Sequence, residues 1–238
     1  MYPTVKKYPG QKNIPGVIQK IINQIPGHKV IIELFAGTAA VSKFLSVGSS
    51  AKIVLVDIDK SVTEKFALPG SKVINKSSLD LLQSNIRFIE LNDPETFIFV
   101  DPPYLHETRS NLSLYKHEFT NDQHLELLEK IVQLRSQVMI IHPDCDMYNQ
   151  YLADWRKVQI KIRYHNKTSV ENLYMNYPQP DILQSYQFLG EDCWDRQRIK
   201  RKGDRLIKKL QTLPSKEKNY LLNRIQVELL TKSNKYHD

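Results

Sequence analysis

The sequence predicts an α/β fold, a mostly parallel, seven-stranded sheet wound with helices. Three observations predict it. Short runs of β-branched and aromatic residues recur along the first three-quarters of the chain, segments of helical period lie between them, and small or acidic residues follow the first, second and fourth runs.

Residues 29–35 read as the first strand, 36–40 (Ala-Gly-Thr-Ala-Ala) as a small-residue turn, and 41–45 as the start of a helix. The second strand, 52–56, ends at Asp57, which puts a carboxylate twenty positions beyond Gly37. In doubly wound folds that pairing holds a ribose: small residues admit the ligand to the backbone and the acid accepts its hydroxyls. One glycine instead of three disfavours a dinucleotide. Residues 72–75 form a short third strand, and 96–100 (Thr-Phe-Ile-Phe-Val) a buried fourth that runs into Asp101. Thr120 and Gln123 have the spacing of a capping box, opening a helix whose apolar stripe includes Leu127, Leu128 and Ile131. Strands at 137–141, 155–164 and 171–176 complete the sheet. Gly37, Asp57 and Asp101 would then share one edge, at the carboxyl ends of parallel strands.

After the fourth strand stand Asp101-Pro102-Pro103-Tyr104. The prolines end the strand and remove backbone donors, so nearby carbonyls stay free to accept hydrogen bonds. With the Asp101 carboxylate, the Pro102 carbonyl makes an acceptor pair that suits a planar amino group, and Tyr104 offers a ring on which a base could stack. The same four residues could also be a plain strand-ending turn with a space-filling tyrosine.

Composition narrows the class. A hydrophobic share of 41% with 25% charged residues suits a globular chain with a real core. No apolar stretch of about 18 residues and no signal-peptide pattern occurs, so a cytoplasmic, membrane-free protein is expected. Two cysteines, Cys145 and Cys193, suggest neither a disulfide framework nor a metal site. Of the eight net positive charges, residues 190–238 hold six, from 13 Lys and Arg against 7 Asp and Glu. Arg196, Arg198, Lys200, Arg201, Lys202, Arg205, Lys208 and Lys209 surround Ile199, Leu206, Ile207 and Leu210 at helical spacing. Such a basic amphipathic helix could lie on phosphates, on a membrane surface, or simply in solvent. The expected division is a domain at 1–189 and a basic helical extension at 190–238.

Several separated segments together resemble the Dam-like class of S-adenosylmethionine-dependent DNA adenine-N6 methyltransferases, in a short form. Tyr8-Pro9-Gly10-Gln11-Lys12 resembles the amino-terminal element of that family, residues 33–41 its Phe-x-Gly-x-Gly turn, and Val56-Asp57-Ile58-Asp59 its ribose-binding acid. Asp101 to Tyr104 resembles the catalytic tetrapeptide. Thr108-Arg109, residues 115–120 and residues 169–176 also resemble family segments.

The resemblance implies a Rossmann-like class I methyltransferase sheet that binds S-adenosyl-L-methionine through Tyr8, Lys12, Glu33, Phe35, Gly37, Asp57, Ser77 and Asp101. Asp101, Pro102 and Tyr104 would carry catalysis on an adenine flipped out of DNA. Arg109 and Lys116 in the following loop, with Arg198, Lys200, Arg201, Lys202 and Arg205 in the basic helix, would contact DNA. No metal is implied; a cognate restriction endonuclease is the implied protein partner. Two positions depart from the family: its second turn glycine is Ala39 here, and Ser77, with Asp80 nearby, stands where many relatives have an adenine-contacting acid. Only 44 positions separate Asp57 from Asp101, too few for an inserted target-recognition domain. Target reading would fall to residues 105–119, residues 164–180 or the basic helix.

An aromatic amine is a poor nucleophile until acceptors draw its N–H groups out of conjugation. Asp101 and the Pro102 carbonyl would do so, and direct methyl transfer then needs no covalent intermediate. Cytosine C5 chemistry would need a thiolate, and Cys145 lies between two aspartates that should raise its pKa. An RNA or protein-glutamine methyltransferase, or an inactive DNA-binding protein of the same fold, are the alternatives.

Overall fold

In the computed structural model, residues 12, 16–46, 49–83, 89–109, 114–164 and 167–230 are described. Seven strands form one sheet: β1 (Val30–Leu34), β2 (Lys52–Asp57), β3 (Lys72–Asn75), β4 (Thr96–Val100), β5 (Gln137–Pro143), β6 (Arg156–Tyr164) and β7 (Lys167–Met175). Their order is β3-β2-β1-β4-β5-β7-β6. The first five pair in parallel, and β7 runs antiparallel to both β5 and β6. β7 starts four residues earlier than the sequence pattern predicts. Only two positions separate it from β6, a connection that suits a hairpin and is too short for a parallel crossover.

The continuous apolar runs of the central strands follow from burial on both faces. Ile31, Phe97, Phe99, Met139 and Ile141 join one core, against Val17, Ile18, Ile21 and Ile22 of α1 (Val17–Ile22) and Val41 and Leu45 of α2 (Ala40–Leu45). Ile32, Ile98, Val100, Val138 and Ile140 join the other core. There they meet Leu79, Leu81 and Leu82 of α4 (Ser78–Gln83), Leu127, Leu128 and Ile131 of α5 (Asn121–Ile131), and Tyr148 of α6 (Asp146–Tyr151). Alternate residues of each strand supply opposite cores, as the two-residue period of a strand requires. The capping box at α5 forms: Thr120 Oγ1 accepts from Gln123 N, and the Gln123 side chain accepts from Thr120 N. α3 (Lys60–Phe66) follows β2 and is capped by Asp59.

The chain divides into two compact units, 1–188 and 189–238. The second contains α7 (Cys193–Gln211) and α8 (Ser215–Ile225), with no residue of either helix buried. α7 starts at Asp192, whose side chain accepts from Asp195 N. Arg198, Lys200, Arg201, Lys202 and Arg205 all lie exposed on it, and Trp194, Arg198, Arg201 and Arg205 border one shallow surface recess. No described helix is long and apolar enough to cross a membrane.

Candidate active site

The loops that follow β1, β2, β3 and β4 open onto one cleft, with residues 115–119 as its outer wall. It holds about 1030 Å³, part of it open to solvent, and Lys12, Glu33, Phe35, Gly37, Asp57, Ser77, Asp101 and Pro102 all line it. Residues chosen from separated sequence motifs are thus brought together at the carboxyl edge of a parallel sheet, where open α/β sheets bind ligands.

The turn after β1 is held in an unusual backbone shape. Phe35, Gly37 and Ala39 all have left-handed φ values, 56°, 49° and 51°. Glycine would adopt this shape freely, whereas the L residue Ala39 carries steric strain of about 1–2 kcal/mol there. The turn is fixed from below by Glu33, whose Oε2 accepts from Ser42 N at 2.9 Å and so ties β1 to α2. Glu33 is 3% exposed, and burial pushes its pKa up to about 7 against the pull of the Ser42 bond. Asp57 closes the other side, with Oδ2 accepting from Gly37 N and Oδ1 from Asp59 N, both at 2.9 Å. Two backbone donors fix the carboxylate's orientation and leave its remaining lone pairs for a diol. The Phe35 ring, edge-on to Phe119 at 5.4 Å, gives the cleft an apolar wall beside these acids.

At the end of β4 a charged cluster forms. Lys12 Nζ lies 2.8 Å from Asp101 Oδ1 and donates to the Tyr104 hydroxyl at 2.6 Å. Tyr104 in turn donates to Glu171 Oε1 at 2.8 Å. Burial pulls the Lys12 ammonium down, but Asp101 and Glu171 outweigh it and leave its pKa raised. Burial pushes Asp101 up to about 6, with Lys12 opposing and Glu171 assisting. Tyr104 is raised well above its ordinary value, by burial first and then by the same carboxylates.

The sequence reading assigns Tyr104 to stacking, and the structure places it otherwise. Its ring is 8% exposed, packed edge-on to His142 at 5.2 Å and under Lys12 at 4.8 Å, outside the residues that line the cleft. The aromatic ring that does line it beside Pro102 and Pro103 is Tyr115. His142 sets the path of the loop after Tyr104: its Nε2 accepts from Leu105 N at 3.1 Å, while Nδ1 faces the Pro143 carbonyl at 2.9 Å. Stacked on Tyr148 at 3.9 Å and fully buried, it stays neutral, its pKa lowered to about 3 by burial.

Two residues expected to contact DNA are engaged within the site. Arg109 pairs through both terminal nitrogens with the Glu118 carboxylate, its side chain only 6% exposed, so it presents little charge to a phosphate. Lys116 pairs with Asp59 Oδ2 at 2.9 Å and ties the cleft's outer wall to the end of β2. Asp59 is held down to about 2 by the Ser61 hydroxyl and by Lys116. Both side chains hold the loop. Tyr8 lies outside the described residues. Sequence reasoning left Glu171 and Tyr115 without roles; the signal for Glu171 is an acid within an otherwise strand-like run, opposite Pro143 in the β5–β7 register. Among the described residues no group of three or more His, Cys, Asp or Glu is placed to hold a metal ion.

A sheet of this order, with Asp57, Asp101, Pro102 and Pro103 lining one cleft at the strand ends, is the Rossmann-like fold of S-adenosylmethionine-dependent methyltransferases. The acids Glu33, Asp57 and Asp101 and the apolar Phe35 wall fit a cationic nucleoside cofactor. Residues 59–173, just under half of the chain, match the family model of the D12 class N6 adenine-specific DNA methyltransferases, so this stretch is similar to that family. Similar solved structures include TrmK of M. capricolum in complex with S-adenosyl-homocysteine, 13% identical over 88% of this chain and 93% of that one, TM-score 0.43. A SAM-dependent methyltransferase of Archaeoglobus fulgidus is 12% identical over 67% and 91%, TM-score 0.44. Another from Agrobacterium tumefaciens is 12% identical over 66% and 59%, TM-score 0.44. No curated protein matches the chain.

Proposed function

We propose that the protein is a site-specific DNA adenine methyltransferase that acts on the exocyclic N6 amino group of a flipped adenine. The observation that carries this reading is the Asp101 carboxylate at the end of β4, facing the same cleft as Gly37, Asp57 and Ser77. When bound, S-adenosylmethionine supplies an electrophilic methyl group on a sulfonium sulfur. Asp57 would take the ribose hydroxyls, Phe35 and Ser77 would flank the base, and Glu33 would keep the β1 turn in its binding shape. Asp101 and the Pro102 carbonyl would accept the two N–H groups of the adenine and so localise its lone pair. Flipping costs roughly a few kcal/mol; Tyr115, on the cleft wall, is placed to recover part of it by stacking.

Residues 1–189 would form the catalytic domain. The extension at 190–238 would supply phosphate contacts through Arg198, Lys200, Arg201, Lys202 and Arg205, with affinity falling steeply as salt rises. Such an enzyme would act in the cytoplasm, and a restriction endonuclease of matching target would be its natural partner. The test is transfer of label from S-adenosylmethionine to unmethylated DNA, with RNA as control and Asp101→Ala alongside. Label in N6-methyladenine of DNA with the wild-type protein alone is the expected result; label in RNA only, or equal label with Asp101→Ala, overturns the reading.

A further inference from the structure

Three short hydrogen-bonded contacts run in series from the reacting position into the protein: Asp101 to Lys12 at 2.8 Å, Lys12 to Tyr104 at 2.6 Å, and Tyr104 to Glu171 at 2.8 Å. Glu171 is 7% exposed, and its second oxygen, Oε2, is buried with no hydrogen-bond partner among the described residues. A buried carboxylate oxygen left unpaired costs free energy unless another state of the site makes use of it. Two carboxylates around one ammonium also leave the cluster one negative charge in excess. It has room for one proton.

The proposed reaction, on which this inference rests, produces one proton. A bond forms between the methyl carbon and N6, and the sulfur–carbon bond breaks with its electron pair left on sulfur. N6 must then lose a proton to become neutral N-methyladenine. Tyr104, buried against His142 and tied at both sides of its hydroxyl, is in a poor position to stack on a base and in a good one to pass a proton. We infer that Glu171 is the far end of a proton path from the reacting amine, and that Tyr104 is its link.

In balanced form, N6–H gives its proton to Asp101. Lys12 takes that proton while passing one of its own to the Tyr104 oxygen, and the Tyr104 hydroxyl proton moves to Glu171. Lys12 and Tyr104 end as they began, and Asp101 is again a carboxylate. Glu171 becomes a neutral acid that later yields its proton to water. The excess negative charge would meanwhile favour the cationic sulfonium and the developing ammonium. Glu171 is not among the residues that line the cleft and is a positioning residue, acting through Tyr104 and Lys12.

Glu171→Gln keeps the shape and the hydrogen bond to Tyr104 but cannot take up the proton. Tyr104→Phe cuts the path and leaves the Glu171 charge in place. The measurement is the single-turnover rate of methyl transfer to DNA across pH 5 to 9, with proton release on S-adenosylmethionine binding near pH 6 read by calorimetry in buffers of different ionisation enthalpy. Both variants should lower the plateau rate about tenfold, and the double variant should fall no further than the slower single. Only Glu171→Gln should move the acid limb to lower pH, because loss of a neighbouring negative charge lowers the Asp101 pKa. The same variant should reduce the proton release on binding. A Glu171→Gln plateau within twofold of wild type, losses that multiply in the double variant, or an unmoved acid limb would each overturn the path and leave the methyltransferase reading standing. Absence of DNA methylation by the wild-type protein would instead overturn the reading beneath it.

Discussion

Asp101→Asn should make the protein more stable at pH 8 while abolishing most of its methyl transfer. Asp101 is raised from an ordinary 3.8 to about 6, because burial disfavours its charge more than Lys12 favours it. A group with a raised folded-state pKa stabilises fully below the unfolded value, and that stability is lost as pH rises through the folded value. The wild-type protein should therefore lose stability between about pH 4 and pH 6 at this position. Roughly two pH units at 1.36 kcal/mol each set the cost at about 3 kcal/mol above pH 7. Asparagine removes the charge, and Lys12 keeps Glu171 and Tyr104 as partners. Allowing about 1 kcal/mol for the lost charge-assisted bond leaves a net gain of about 2 kcal/mol. Urea denaturation at pH 5 and pH 8 measures it, as a rise in midpoint at pH 8 with an unchanged m-value and a much smaller rise at pH 5. A variant less stable than wild type at pH 8 would show that the Lys12 pair outweighs burial, and would refute the reasoning.

Other consequences can be measured in the same preparations. Ala39→Gly should stabilise by about 1 kcal/mol in thermal unfolding, because the φ of 51° suits glycine, and it should bind cofactor no more weakly than wild type. Glu33→Gln should gain stability relative to wild type as pH rises from 4.5 to about 7, the window over which the raised carboxylate costs stability, and should match wild type near pH 4; melting curves at pH 4 and pH 8 decide it. Alanine at Arg198, Arg201 and Arg205 together should reduce the slope of log affinity for DNA against log salt by about 3. Arg109→Ala should leave that slope unchanged within half a unit, because its guanidinium is bound to Glu118 within the cleft wall.

Much of the fold is legible because local chemistry and global position agree in it. The strand runs at 29–35 and 96–100 are apolar on both faces because two cores flank them, and Thr120 with Gln123 announces a helix start that forms as read. Gly37, Asp57 and Asp101 are legible as a site because a parallel sheet brings its strand ends to one edge. What escapes the sequence is decided by side-chain partners. Arg109 looks like a phosphate contact until Glu118 is seen to engage it, whereas Lys116, paired with Asp59, keeps its side chain 70% exposed. Tyr104 looks like a stacking ring until the bonds from Lys12 and to Glu171 are seen. Neither Glu118 nor Glu171 carries a signal that names its partner, because the pairing depends on loop path and on strand direction.

The reversal of β7 has a consequence for how the site comes into being. Because β7 lies between β5 and β6 and runs against them, Glu171 reaches a cluster that also needs Lys12, 92 positions before Tyr104, while Tyr104 lies 67 positions before Glu171. Contacts of such separation form late, after the loop entropy between them has been overcome. A chain that emerges amino-terminus first can lay down β1, β2 and β4 early, yet its charge cluster stays incomplete until β7 has threaded into place. Competence for chemistry is thereby tied to completion of the sheet, and a protein truncated before residue 171 would keep Lys12 and His142 beside the tetrapeptide but lack the Glu171 carboxylate that accepts from Tyr104.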